Sequence, residues 1–394
     1  MALGPASATS PKLLLFVVTD DWYFVSHRLS LARGAVHAGY RVVVATRVHA
    51  HGEAIRAVGC ELVPLGWQRG TSRLGADGVA LWALVRLYRR LQPELVHHIA
   101  LKPIVLGSLA AAVNRVPAVV NSISGMGYLF TGRERRARIL RPLMRLGLRV
   151  ALGRRRTAVI VQNEADRDLL VHARLASPER IVLIRGVGVD LNEFTPRRAP
   201  GSPCTVLMGG RMVWHKGVFE FVEAAKRLRG DGLDARFVLV GDSDQESLAA
   251  VPRRDLEAWN QSKILEWWGH RDNMQEVLCQ SHVVCLPSHG GEGVPKILLE
   301  AAASGLPIVT TDVPGCRDVV RDGWNGFVVP PRDAGAVAEA LRELIANPQL
   351  RDLMGARARE LAVAEFSQER AVEATLRVYD DLRGQAESRV PDDA

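Results

Sequence analysis

The sequence predicts an α/β protein made of two doubly wound parallel-sheet domains that face a central cleft. Short apolar runs alternate with longer segments of helical period along the 394 residues, and the alternation comes as two series. Between them lies FTPRRAPGSPC, from Phe194 to Cys204, whose three prolines and one glycine read as a linker. The chain is also long for a single core, so two domains are the default.

In the first series the expected strands are Leu13 to Val18, Arg41 to Thr46, Leu95 to His98, Ala118 to Asn121, Ala158 to Gln162 and Ile181 to Ile184. In the second they are Thr205 to Met208, Phe237 to Val240, Ile264 to Trp267, Val283 to Leu286, Ile308 to Thr310 and Gly326 to Val329. Strands separated by helices of about ten to fifteen residues imply parallel sheets covered on both faces. Ligands of such sheets bind outside the carboxyl ends of the strands, which places the site in the cleft.

Composition describes a soluble globular chain, 47% hydrophobic and 24% charged. Cys60, Cys204, Cys279, Cys285 and Cys316 are odd in number and lack metal-ligand spacing, which points to a reducing compartment. The first ten residues read as no signal peptide, and LLLFVV is too short to be anything but a buried strand. No GxGxxG follows the first strand and no GxxxxGK[ST] occurs, so dinucleotide and P-loop functions are disfavoured.

The net charge of +8 is local. Between Arg133 and Arg156 ten arginines and one glutamate give +9, so the remainder sums to −1. Arg138, Arg141, Arg145 and Arg149 recur at helical spacing, with Ile139, Leu143, Leu146 and Val150 as a separate apolar stripe and Pro142 as a kink or restart. Such a helix can simply pack on its own domain, but the density of one sign favours an anionic membrane surface. Without interleaved aromatics or a recognition motif, nucleic acid is not expected.

Chemistry concentrates in SHGGEGVPKILLEAAASGLPIVTTD, where Glu292 and Glu300 stand eight residues apart. Gly290, Gly291, Gly293 and Pro295 put Glu292 on a tight loop, and the apolar run after it puts Glu300 on a helix. A glycine-rich loop that opens a helix gathers backbone N–H groups at the positive end of the helix dipole and so binds anions. The two carboxylates would then take sugar hydroxyls on either side of a diphosphate. In TVLMGGRMVWHKG, Gly209 and Gly210 lead to Arg211 and Lys216 just beyond a strand, two cations suited to neutralising that diphosphate.

GGRMVWHKG, EGVPKILLE with its E-x7-E spacing, and the trailing GLPIVTTDVPGCRDVVRDGWNGFVVPPRD resemble the retaining nucleotide-sugar glycosyltransferases of family 4, which have the GT-B fold. The likeness runs over essentially the whole chain. DWYFVSHR, HHIALKPIVLGSLAA and SISGMGYLF are similar to the subgroup that extends lipid-linked saccharides for capsule, O-antigen or glycoprotein glycans.

The resemblance implies a nucleotide-sugar donor, with uridine as the expected nucleotide, a polyprenyl-diphosphate saccharide as acceptor, and no metal or other cofactor. Arg211 and Lys216 would hold the diphosphate as it leaves, Glu292 the donor sugar and Glu300 the ribose. Gly210 belongs to the same loop, and Gly293, Val294 and Pro295 to the phosphate cradle. The turn of Gly269, His270, Arg271 and Asp272 would lie near the base, and Gly125, Met126 and Gly127 near the donor phosphate or the acceptor. His27 and His98 are candidates beside the acceptor. Many relatives carry H-x-H-x-x-K-P, whereas this chain reads His97, His98, Ile99, Ala100, Leu101, Lys102, Pro103, so the usual second histidine falls on Ile99. On a strand only one of His97 and His98 can readily address the cleft. Asp242 and Asp244 look like a metal-binding DxD, but their place after a strand suits a loop or a helix cap.

These expectations give a first domain over 1–196, which would bind the acceptor, and a second over 197–365 for the nucleotide sugar. An amphipathic helix at 366–386, with Val372, Leu376 and Tyr379 on one face, would cross back to the first, and 387–394 would be disordered. The protein would be cytoplasmic and peripheral on the inner membrane face. A soluble acceptor and a catalytically silent sugar-nucleotide-binding protein remain open, as does the oligomeric state.

Overall fold

The computed structural model describes residues 12–67, 74–126, 145–154, 156–197, 201, 203–244, 246–247 and 249–387. Thirteen strands occur among them, in two sheets whose pairings are all parallel. The first sheet holds β1 (Leu13–Asp20), β2 (Arg41–Arg47), β3 (Glu61–Pro64), β4 (Leu95–Ile99), β5 (Ala118–Ile123), β6 (Thr157–Val161) and β7 (Ile181–Leu183), in the order β3-β2-β1-β4-β5-β6-β7. The second holds β8 (Cys204–Gly209), β9 (Ala235–Val240), β10 (Glu266–Trp267), β11 (Val283–Leu286), β12 (Ile308–Thr311) and β13 (Gly326–Val329), in the order β10-β9-β8-β11-β12-β13. Strand order reverses between β1 and β4 and between β8 and β11, and a crevice opens at each reversal.

The strands read as unbroken apolar runs because both faces of each sheet are covered. In β1 the alternation of side chains still sorts partners: Leu14, Phe16 and Val18 join a core with Phe24 and Tyr379, while Leu13, Leu15 and Val17 join another with Leu84 and Tyr88. The helices Asp21–His37 and Gln368–Glu387 therefore cover one face, and Leu74–Leu91 and Leu101–Val113 the other. Twelve strands fall where the apolar runs put them. The thirteenth, β3, is a four-residue edge strand whose side chains are at most partly buried, so it lacks the run that marks its neighbours.

The crossover between domains lies earlier than the proline-rich segment suggests. Ile184 belongs to a first-domain core, whereas Val189 and Phe194 are buried in the second. Between them Gly186 and Gly188 have φ of +78° and +74°, a conformation other residues rarely adopt. The return crossing runs alongside: Val189 N–H donates to the Phe366 carbonyl at 2.9 Å and Gln368 N–H to the Val189 carbonyl at 3.0 Å. Pro196 and Pro203 come after Phe194, which is already buried in the second core. Gln368–Glu387 then lies on the first domain, with Val372 against Gly34 and Tyr379 fully buried.

Of the basic segment, residues 145–154 and 156 are described, so Ile139, Pro142 and Leu143 fall outside. Residues 145–152 are helical, and the packed face is Leu148, Ala151 and Leu152, joined by Ile104. Leu146 and Val150, the described part of the expected stripe, are 60% and 49% exposed beside the exposed Arg145 and Arg149, so this stripe is not the face that packs on the domain. Among the described residues no helix is long and apolar enough to cross a membrane. The tail at 388–394 is outside the described residues.

Candidate active site

The second sheet presents its charges from two strand ends that the reversal places side by side. Beyond β8 the chain passes Gly210, with φ +143°, to Arg211, then a single turn Trp214–Lys216 and, after Gly217, the helix Val218–Gly230. Beyond β11 a loop runs to Pro295, which precedes the helix Lys296–Ala303. The two loops meet through Lys216, whose ammonium lies 2.8 Å from the Glu292 carboxylate. The Ser288 hydroxyl has one proton for two acceptors, Glu292 Oε1 at 2.9 Å and the His215 carbonyl at 3.0 Å.

The two glutamates occupy opposite electrostatic situations. Burial raises the pKa of Glu292, but the Lys216 charge and the Ser288 hydroxyl outweigh it, and the group ends below the usual carboxylate range. Burial also raises that of Glu300, and there the Lys296 ammonium at 2.7 Å only partly offsets it, so Glu300 ends above. Arg211 donates to Asp244 at 2.6 Å. Asp244 thus lies on a loop, one of the two places its position suggested, and makes an ion pair there. Among the described residues no group of three or more His, Cys, Asp or Glu is placed to hold a metal ion.

The first domain closes on this site through backbone. A Cβ at Gly125, where φ is +96°, would come within 2.4 Å of the Gly291 carbonyl, so the two glycine loops touch as only glycine permits. Gln162, just past β6, accepts from the Val294 N–H at 2.9 Å. That amide, expected in a phosphate cradle, is thus taken up by a hydrogen bond across the cleft. Gly293 lies beside it, where a Cβ would meet Gln162 Oε1. His27 stacks on Tyr23 with ring centres 4.3 Å apart, and the Tyr23 hydroxyl donates to Ser124 Oγ at 3.1 Å. Burial, helped by the nearby Lys296, Arg28 and Lys216 charges, pushes His27 down to about 3, so it is neutral at physiological pH. Arg271 is exposed on its turn, next to the His270–Asp272 pair, and Gly127 lies outside the described residues.

Neither histidine of β4 addresses the cleft, which corrects the expectation for His98. Its ring is fully buried between the Tyr88 hydroxyl at Nε2, 2.9 Å, and Asn121 Oδ1 at Nδ1, 2.8 Å, and it packs directly on Gly107. His97, on the opposite face, is held at 2.6 Å by both the Tyr379 hydroxyl and Ser122 Oγ. Burial drives His98 down to about 4 and His97 well below the ordinary value. A fully engaged neutral imidazole under a helix has no route to a substrate proton.

Three residues at the site carry no advance signal. Gln162 ends an unremarkable apolar strand. Lys296 sits within the glutamate motif, and only the helix turn that brings it to Glu300 gives it a role. His215, between Arg211 and Lys216, is pushed down to about 4 by burial in spite of the Glu292 charge beside it.

Known proteins resemble this chain in sequence and in fold. Residues 203–347 match the family described as glycosyl transferases group 1, and residues 12–163 the family described as glycosyl transferase 4-like. The chain is 26% identical over 320 residues to the UDP-Gal:alpha-D-GlcNAc-diphosphoundecaprenol alpha-1,3-galactosyltransferase of Escherichia coli, covering 78% of this chain and 80% of that one. It is 27% identical over 314 residues to the N,N'-diacetylbacillosaminyl-diphospho-undecaprenol alpha-1,3-N-acetylgalactosaminyltransferase of Campylobacter jejuni, covering 75% and 79%. Anabaena HepE, solved with UDP-glucose, shares the fold with a TM-score of 0.73 at 18% identity, over 94% of this chain and 99% of its own. Sucrose-phosphate synthase of Thermosynechococcus elongatus does so with a TM-score of 0.79 at 19% identity, over 95% and 100%.

Proposed function

Given that the chain belongs to the group 1 and 4-like glycosyltransferases with the GT-B fold, we propose that it moves a hexose or N-acetylhexosamine from a UDP-sugar to a polyprenyl-diphosphate-linked saccharide at the cytoplasmic membrane face, with retention and without a metal. The observation that carries this reading is that Lys216 meets Glu292 between the loops after β8 and β11, with Arg211 close enough to act on the same His215 and Glu300 buried on the helix that follows. Two cations there match a diphosphate, and two buried carboxylates of different basicity match two sets of hydroxyls. The lipid-linked acceptor rests on the undecaprenol substrates named for the Escherichia coli and Campylobacter relatives. The outward Leu146 and Val150 among arginines suit an anionic membrane.

In the proposed reaction the bond from the anomeric carbon to the β-phosphate oxygen breaks first, leaving an oxocarbenium-like sugar. Arg211 and Lys216 take up the charge that develops on the departing diphosphate. The acceptor hydroxyl attacks from the same face and passes its proton to that phosphate, so the configuration is kept. Glu292 orients the donor sugar, and Glu300 accepts from the ribose. His98 has no part in it.

The test is to incubate the purified protein with a panel of nucleotide sugars and a lipid-linked acceptor extract, and to identify the product by mass. A lipid-linked saccharide longer by one hexose or N-acetylhexosamine is expected with a UDP donor. Transfer only to soluble glycans, or none with any UDP-sugar, would overturn the reading.

A further inference from the structure

The first domain buries a cation that no acceptor meets. Arg28, on the helix Asp21–His37, is only 6% exposed, and its Nε is sealed from solvent without a hydrogen-bond partner. Among the described residues its side chain makes no ion pair either. The groups that its charge acts on include His27, His97 and Tyr379, each neutral near pH 7. Arg359, less deeply buried in the second domain, shows the usual solution: its guanidinium donates to the Leu191, Phe194 and Ala303 carbonyls at 2.7 to 3.1 Å. A guanidinium cannot shed its proton as a buried lysine or histidine can, so Arg28 stays charged, and an uncompensated buried charge is strongly destabilising.

Arg28 lines a cavity walled by three segments: Ser30 of its own helix, Gly186 and Val187 of the crossover between domains, and Val372 and Thr375 of the helix Gln368–Glu387. Ser30 brings a hydroxyl to this wall, while the Thr375 hydroxyl already donates to the Ala371 carbonyl at 2.8 Å. The second domain begins directly behind Gly186, where a Cβ would come within 3.0 Å of Leu299 and 3.2 Å of Val294. The cavity has room for about one water-sized particle. A water would fit and leave the charge uncompensated; a phosphate or a sugar carboxylate would compensate it and does not fit. We propose that Arg28 binds one small inorganic anion of chloride's size in this cavity, and that the ion is a structural counter-charge at the joint between the domains. Only the folded chain assembles the three walls, so the ion must stabilise the fold in proportion to its occupancy.

The experiment compares denaturant unfolding of the parent and of Arg28→Met in sodium chloride, sodium gluconate and sodium phosphate at equal ionic strength. In the parent, about 0.2 M chloride is expected to raise the folded-to-unfolded ratio about five- to tenfold over gluconate, with a gain that saturates. General salt effects act on both proteins alike, so a gain that belongs to the site should vanish in Arg28→Met. That variant should be no less stable than the parent in gluconate, because it buries no unpaired charge. Bromide should replace chloride, and a crystal of the parent grown in bromide should give an anomalous peak in contact with the Arg28 guanidinium. No chloride gain in the parent, or an equal gain in both proteins, would overturn the site. A gain over Arg28→Met as large in phosphate as in chloride would overturn the assignment to a chloride-sized ion. Should Arg28→Met fail to fold, the bromide crystal decides alone: no peak at Arg28 ends the proposal.

Discussion

The two sheets spend their polar residues in different ways. Past β8 and β11 the second domain sets out full charges in pairs: Lys216 with Glu292, Arg211 with Asp244, Lys296 with Glu300. Around β4 and the helix after β1 the first domain holds neutral imidazoles, His27, His97 and His98, all with pKa lowered first of all by burial. A charged pair is poised to exchange partners when an anion arrives, whereas the buried neutral rings of His97 and His98, with both nitrogens engaged, are committed to the fold. The chemistry of this chain should therefore lie in the second half, and the first half should supply shape and closure.

The sharpest way to break that contrast is to exchange function for structure at one residue of each kind. Glu292→Gln keeps the volume and removes the charge facing Lys216. Transfer, followed as product mass per unit time, is expected to fall about a hundredfold or more, with unchanged circular dichroism and a thermal midpoint lowered by the loss of the Lys216 counter-charge. A small loss would take Glu292 out of the mechanism. His98→Ala should do the reverse. It leaves a cavity and strips partners from the Tyr88 hydroxyl and Asn121, so denaturant unfolding should show a loss of about 2–4 kcal/mol. The kcat of the folded fraction should stay close to that of the parent, and a collapse of kcat at unchanged stability would restore His98 as a base.

How far the sequence reveals each half follows from the same contrast. Strands buried on both faces advertise themselves as apolar runs, and the glutamate and cation motifs place their residues at strand ends whatever the tertiary detail. The short edge strand β3 has no such run. The crossing at Gly186 and Gly188 is hidden because it turns on positive φ, while the prolines that draw the eye come later in the chain. The direction of His98 is set by Tyr88 and Asn121, ten and twenty-three residues away, and the partner of Val294 N–H is Gln162, 132 residues away. No local pattern encodes contacts at those separations.

Acid sharpens the comparison because the two kinds of group titrate in different windows. His98 is near 4 in the fold against 6.5 free, so below pH 6.5 the unfolded chain binds a proton that the folded chain refuses. Its contribution to stability is complete above 6.5 and is lost as pH falls toward 4. Unfolding free energy should decline over that range, and His98→Ala should flatten the decline. Glu300 is raised above 4.5 and Glu292 lowered below it. As pH falls from 7, protonation reaches Glu300 first, and UDP affinity should drop by up to about tenfold per pH unit once below its raised pKa, while Glu292 stays ionised. Titration calorimetry of Glu300→Gln should show weaker binding without that acid limb. A parent affinity that stays flat down to pH 4.5 would mean that the ribose does not depend on this carboxylate.

The smallest effect belongs to the surface of the first domain. Arg145 and Arg149 flank Leu146 and Val150, all four exposed on a helix whose other face is packed by Leu148, Ala151 and Leu152. An arginine near an anionic surface contributes roughly 1 kcal/mol, about fivefold in partitioning, and salt screens it. Flotation with vesicles rich in anionic lipid should therefore recover less protein for Arg145→Gln than for the parent, and less again for the double change with Arg149→Gln, with the differences shrinking as salt rises. Leu146→Ser should weaken binding by an amount that survives high salt, since the loss there is apolar burial. Equal flotation of all four proteins at low salt would leave these residues as ordinary surface. Membrane contact would then have to come from another part of the first domain, and a soluble acceptor would gain ground.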